Sequence, residues 1–193
     1  MKFNGFVAGV FLGLIFLPCS GTLAQRVDGT TYGDPNLRTV ADAQLQKIYE
    51  RANGPGEHVE VLTNGNPLGI RDALGTEISG SLAEGSLIRI VGTAWTRRGK
   101  YSFEFYRDGD RLLMAYATFT WFAECAPRHS WRNFMGLAAW ESRVYFGTGG
   151  EVGYAETRGL QAPPPDMSGK ALQQQAARLI ELLDQSPARW TRK

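Results

Sequence analysis

The sequence predicts an α+β domain, a curved antiparallel sheet of about six or seven strands flanked by an N-terminal and a C-terminal helix. Three observations predict it. Residues 78–122 alternate apolar and polar side chains in runs broken by short glycine-containing turns, the pattern of a strand meander. Residues 143–156 repeat that pattern around Gly149-Gly150. Residues 169–185 set Leu172, Ala176, Leu179, Ile180 and Leu183 along one helical stripe.

The chain begins as an export signal would. Lys2 is a thin positive start, Phe6 to Leu17 is an unbroken apolar run, and Pro18 ends it. Thr22 and Ala24 place small residues where a signal peptidase reads them, so cleavage is expected before Gln25. Lipid attachment at Cys19 is the rival, but Pro18 and Phe16 stand where a lipoprotein signal wants a small and an aliphatic residue. The expected location is therefore periplasmic or secreted, and no later stretch is apolar enough to span a bilayer.

Residues 25–38 are polar and punctuated by glycine and proline, so a loose mature N-terminus is expected. A single domain over residues 39–185 follows, with a basic tail over 186–193. A helix is expected over about Thr39 to Arg51. Val40, Leu45, Ile48 and Tyr49 form its stripe and Asn53-Gly54 stops it. "HVEVLT" alternates and reads as a strand closed by Asn64-Gly65.

Within the meander, an Asp108-Gly109 turn would set Arg107 opposite Asp110, Phe105 opposite Leu112, Phe103 opposite Met114 and Tyr101 opposite Tyr116. The "RRGK" loop would set Ala94 opposite Phe103 and Gly92 opposite Phe105. One face would then collect Phe103, Phe105, Leu112, Met114 and Tyr116 as core. The other would carry Ser102, Glu104, Thr93, Arg111, Trp95 and Leu113, partly covered or wet. Gly80 and Gly92 mark expected bends.

Residues 130–142 read equally as a short helix or a strand. The Gly149-Gly150 hairpin would pair Tyr145 with Tyr154 and Arg143 with Glu156. "GLQAPPPDMSG" is an extended connector.

Little of this chain reads as chemistry. "TWFAECAPRHSW" holds Glu124, Cys125, Arg128 and His129. The strand order places that loop at the same end of the sheet as Arg97, Arg98 and Lys100. Cations and an imidazole near a thiol favour its thiolate, so Cys125 and His129 are the catalytic candidates. Packing is the stronger reading, because cysteine hydrolases usually bring these two groups together from distant segments.

No metal site is expected. His58 and His129 share no local motif, and Cys125, the one cysteine left after the expected cleavage, cannot make a zinc site alone. "GTGGEVG" lacks the Lys-Ser/Thr of a phosphate loop. The formal charge of +2 argues against nucleic acid as a partner.

The candidate binding surface is the basic tip, Arg97, Arg98, Lys100 and Arg128 with Arg132, together with Trp95, Trp121 and Trp131. Trp140 belongs to the same set of large side chains, with core packing the simpler role for all of them. The expected function is a non-enzymatic, exported binding or assembly module of a bacterial envelope. Its expected partner is another envelope protein, and it needs no cofactor. One alternative is a carrier or sensor of a small apolar or amphipathic ligand. The other is a thiol-dependent enzyme using Cys125 and His129.

Overall fold

The computed structural model describes residues 31–54, 57–61, 66–122, 138–164, 167–185 and 190–192. They form one antiparallel sheet with a helix on each face, the predicted α+β class. The strands are β1 (Thr31–Gly33), β2 (Glu57–Val61), β3 (Gly75–Ala83), β4 (Ser86–Trp95), β5 (Gly99–Asp108), β6 (Arg111–Trp121), β7 (Trp140–Phe146), β8 (Val152–Gly159) and β9 (Trp190–Arg192). Their order across the sheet is β1-β8-β7-β6-β5-β4-β3-β2-β9. The seven strands from β2 to β8 are a simple meander. The three-residue β1 and β9 close its two edges, and neither is signalled by the sequence pattern.

Helix α1 (Pro35–Asn53) starts four residues before the expected point. Asp34 is its N-cap and accepts from the Asn36 N–H at 2.9 Å, and Pro35 fills the first turn, where a missing N–H costs nothing. Helix α2 (Gly169–Gln185) has the predicted bounds. The ambiguous stretch resolves only at its end. Trp140 opens β7, and 130–137 lie outside the described residues.

Each helix closes its own core. Leu172, Ala176, Leu179 and Leu183 of α2 share a core with Ile90, Ala94, Phe103, Phe105, Ala115, Ala117 and Phe119. Ala41, Leu45, Ile48 and Ala52 of α1 share a second core with Ile88, Tyr106, Leu113, Tyr145 and Tyr154. Gly80 and Gly92 serve this packing. A Cβ on Gly80 would meet Leu87 at 2.6 Å, and one on Gly92 would meet Leu68 at 2.8 Å. A register shift also follows Gly80, between Ser81 and Leu82.

The register departs from expectation in an informative way. The β5–β6 turn is one residue later than expected, with Gly109 at φ 58 and Asp108 opposite Arg111. A bulge then shifts the ladder. Arg107 faces Leu112, but Tyr106 faces Met114, so Leu113 is the extra residue. Beyond it Phe105 faces Ala115, Phe103 faces Ala117 and Tyr101 faces Phe119.

The bulge sends Leu113 and Met114 to the same side, so Met114 and Tyr116 leave the Phe103–Phe105 face and join α1. Of the three β6 side chains expected beside the phenylalanines, only Leu112 packs against that core. The β4–β5 turn is also displaced, setting Gly92 opposite Phe103 and Ala94 opposite Tyr101. That displacement is an even number of residues, so these residues keep the faces assigned to them. The β7–β8 hairpin pairs Tyr145 with Tyr154 and Arg143 with Glu156, as the sequence predicts.

A tyrosine-lined cleft as candidate functional site

All the sheet residues in the α1 core lie near one end of their strands, the end with the turns at Glu84, Gly109 and Gly149. Helix α1 therefore covers about half of this face. Where its cover stops, a cleft of about 410 Å³ opens. Asp42, Leu45, Gln46 and Tyr49 line it from the helix, at the i, i+3, i+4, i+7 spacing of one helical stripe. Glu104, Tyr106, Met114, Tyr116, Arg143 and Tyr145 line it from β5, β6 and β7.

The polar groups of the cleft are held in two sets. On one wall, Glu104 Oε2 accepts from Arg89 at 2.8 Å and from the Tyr106 hydroxyl at 2.5 Å. The Arg89 guanidinium also lies over the Tyr49 ring at 5.7 Å and the Tyr106 ring at 5.6 Å, and it donates to Asn53 at 3.3 Å. This stack ties α1 to the sheet. On the other wall, the Tyr145 hydroxyl donates to Asp42 at 3.0 Å. Arg143 lies over the Tyr116 ring at 5.5 Å and reaches Glu156 at 3.5 Å.

Glu156 anchors that second wall. It is only 3 % exposed, and Arg38, Arg143 and Arg158 approach it at 3.0, 3.5 and 3.4 Å. A buried carboxylate without partners would be costly, and three guanidinium groups satisfy it.

The phenols of Tyr106, Tyr116 and Tyr145 are neutral at physiological pH. Burial pushes Tyr106 up, and its hydrogen bond to Glu104 adds to the shift. Burial likewise pushes Tyr145 up to about 12, with the Asp42 charge second, and raises Tyr116, with the Glu141 charge second. They therefore act as hydrogen-bonding groups and apolar surfaces, and not as phenolate nucleophiles or bases.

Of the candidate site residues singled out from sequence, those that the structure describes do not line the cleft. Cys125, His129, Arg128, Trp131, Glu124 and Arg132 lie outside the described residues. Arg97, Arg98 and Lys100 are exposed at the β4–β5 turn. Phe122 joins them, because its N–H donates to the Arg98 carbonyl at 3.0 Å, so β6 does end at the basic tip. Trp95 is half-buried on the α1 side of the sheet. Trp121 is 6 % exposed in the α2 core, with its ring edge-on to Phe119 at 6.3 Å. Trp140 is buried in the same core. Of His58, the backbone pairs with Ser81 and Thr191. Among the described residues, no three His, Cys, Asp or Glu side chains gather in a way that could hold a metal ion.

Sequence reading missed the cleft because the one-residue bulge changes which β6 side chains face α1. The usable signals were Tyr145 and Arg143, whose strand partners were legible, together with a helical stripe that mixes Asp42 and Gln46 with Leu45 and Tyr49. A carrier of an apolar ligand would need a cavity beside Phe103, Phe105 and Tyr116; Tyr116 lines the cleft, but the two phenylalanines do not. Both rings are fully buried in the α2 core, and the open volume lies on the opposite face. No known protein family, curated protein or solved structure matches the chain.

Proposed function

We propose that the chain is an exported, non-enzymatic binding module of a bacterial envelope, with the cleft between α1 and the sheet as its ligand site. The observation that carries this reading is the cleft itself. Its volume of about 410 Å³ lies within the range of small-molecule sites, roughly 300–1,000 Å³. Its lining joins ring faces and aliphatic side chains to a few fixed polar groups, which suits a small amphipathic molecule.

The state of those polar groups supports binding over catalysis. Glu104 and Asp42 each hold a phenol and an arginine, and the phenols stay protonated. General acid–base work calls for a group whose pKa sits near the operating pH, and neutral phenols shifted upward do not supply one.

Export rests on residues 1–24, whose charged start, apolar run and small residues before Gln25 fit a cleaved leader. No helix among the described residues is long and apolar enough to cross a membrane. N-terminal sequencing of the protein from its host should begin at Gln25.

Native mass spectrometry of the same material tests the ligand site. It should show a small molecule bound one-to-one, lost when Tyr116→Ala opens the cleft wall. A wild-type protein that carries no added mass, and gains none from host extract, contradicts the reading. The thiol alternative is separate. Cys125 alkylated by iodoacetamide much faster than free cysteine would favour it, and slow labelling would end it.

A further inference from the structure

The ends of the strands differ in charge and in apolar exposure. One end carries the turns at Glu84-Gly85, Asp108–Asp110 and Gly147–Glu151. Its side chains are mostly acidic, and arginines offset them. Arg51 lies 3.9 Å from Glu84, Arg107 lies 3.7 Å from Asp110, and Arg111 lies 3.8 Å from Asp108.

The other end carries the turn before β3, the β4–β5 turn and the end of β6. Arg71, Arg97, Arg98 and Lys100 are all exposed there. Asp72 opposes them, with Glu77 further along β3.

The same basic end holds two of the large apolar side chains that the fold leaves in water. Leu74 is 67 % exposed and Phe122 is 39 % exposed. Backbone bonds fix their places. The Leu74 N–H donates to the Trp95 carbonyl at 2.7 Å, Trp95 pairs with Lys100, and the Phe122 N–H donates to Arg98. Leu74 and Phe122 therefore flank the basic β4–β5 turn, about 14 Å apart across three strand spacings.

We propose that this end of the sheet docks on an anionic lipid surface, with Leu74 and Phe122 entering the interface and Arg71, Arg98 and Lys100 meeting lipid phosphates. Cations ringing exposed apolar side chains match such a surface in both charge and polarity. A membrane offers both partners at once, with no pocket needed. The offset charges at the opposite turns give that end no comparable attraction, so the protein would bind in one orientation. The cleft beside α1 opens on a sheet face rather than at this end, so the two sites are independent.

The test is co-sedimentation of the protein, recovered from cells expressing the full chain, with two kinds of vesicle. One kind is phosphatidylglycerol mixed with phosphatidylcholine, and the other is phosphatidylcholine alone. Binding should favour the anionic vesicles and weaken at high salt. The Arg98→Gln/Lys100→Gln variant should bind the anionic vesicles about thirtyfold more weakly. The Leu74→Ser/Phe122→Ser variant should also lose affinity while keeping its salt dependence.

Circular dichroism confirms that each variant is folded, and Asp110→Asn at the opposite end is the control that should bind unchanged. Equal binding to both kinds of vesicle overturns the proposal, as does binding to neither. Anionic binding unaffected by Arg98→Gln/Lys100→Gln overturns it too. Capture of an acidic soluble protein without vesicle binding would point to a protein partner and would likewise overturn it.

Discussion

The Tyr145 hydroxyl donates to Asp42 Oδ1 at 3.0 Å, and through this bond β7 holds α1 over the sheet. It joins residues more than a hundred positions apart. Because Tyr145 and Asp42 both line the cleft, the same bond shapes the site and stabilises the fold.

Tyr145→Phe removes the donor while keeping the ring. Asp42 keeps its ion pair with Arg38 at 3.4 Å and is half exposed, so it can turn to water. The expected loss is about 1.5 kcal/mol, at the lower end for a bond to a charged group. It is read as a lower urea midpoint at unchanged slope. An unchanged midpoint would mean that the bond adds nothing.

The raised phenols predict alkaline sensitivity. Tyr145 titrates at about 12 in the folded chain against 10.0 unfolded, and Tyr106 and Tyr116 shift the same way. The unfolded state therefore loses these protons first. The contribution of Tyr145 to stability is complete below pH 10 and is lost as the pH rises through about 12, and burial of Tyr106 and Tyr116 acts in the same direction. Unfolding free energies measured across that window should fall more steeply for the wild type than for Tyr145→Phe. Phenol absorbance titrating wholly near 10, with flat stability, would contradict the assigned burial.

Glu156 is the buried carboxylate that gathers Arg38, Arg143 and Arg158. Glu156→Gln leaves the shape but removes the charge, so three guanidinium groups lose their common partner. These arginines are partly exposed and regain water, which keeps the expected loss to roughly 1.5–3 kcal/mol. A thermal melt reads it. A melt unchanged by the substitution would show that the cluster is held by packing alone.

Gly99 lets β5 approach β6 at the basic turn. A Cβ there would sit 2.2 Å from the Thr120 carbonyl and 2.7 Å from the Phe119 ring. Backbone cannot yield as a side-chain tip can, so Gly99→Ala is expected to cost about 1–3 kcal/mol. Gly109→Ala at the opposite turn meets nothing nearby, and its cost comes only from a φ of 58. Chemical denaturation of the two variants should separate these causes, with Gly99→Ala the less stable. The reverse order would deny the close approach.

How much was legible depended on how local the cause was. Helix α2 was readable to its ends because its apolar stripe is continuous from Leu172 to Leu183. The β7–β8 pairing was readable because its loop carries two glycines at the tip. The start of α1 was also written locally, in Asp34-Pro35, but lay inside a stretch read as loose. The β5–β6 register was not legible. An extra residue at Leu113 depends on how two faces pack at once, on α1 and on α2, and no local pattern states it. The cleft inherits that difficulty, since Met114 and Tyr116 reach it only because of the bulge.

Hydrogen exchange of the protein with its co-purified ligand, before and after the ligand is stripped, reports whether the cleft under α1 is the ligand site. Faster exchange is expected on stripping at residues 42–49 of α1 and at the facing parts of β5, β6 and β7, with β2 and β9 unchanged. Protection confined to the α2 side of the sheet, or no change around Asp42, Tyr49, Tyr116 and Tyr145, would contradict it.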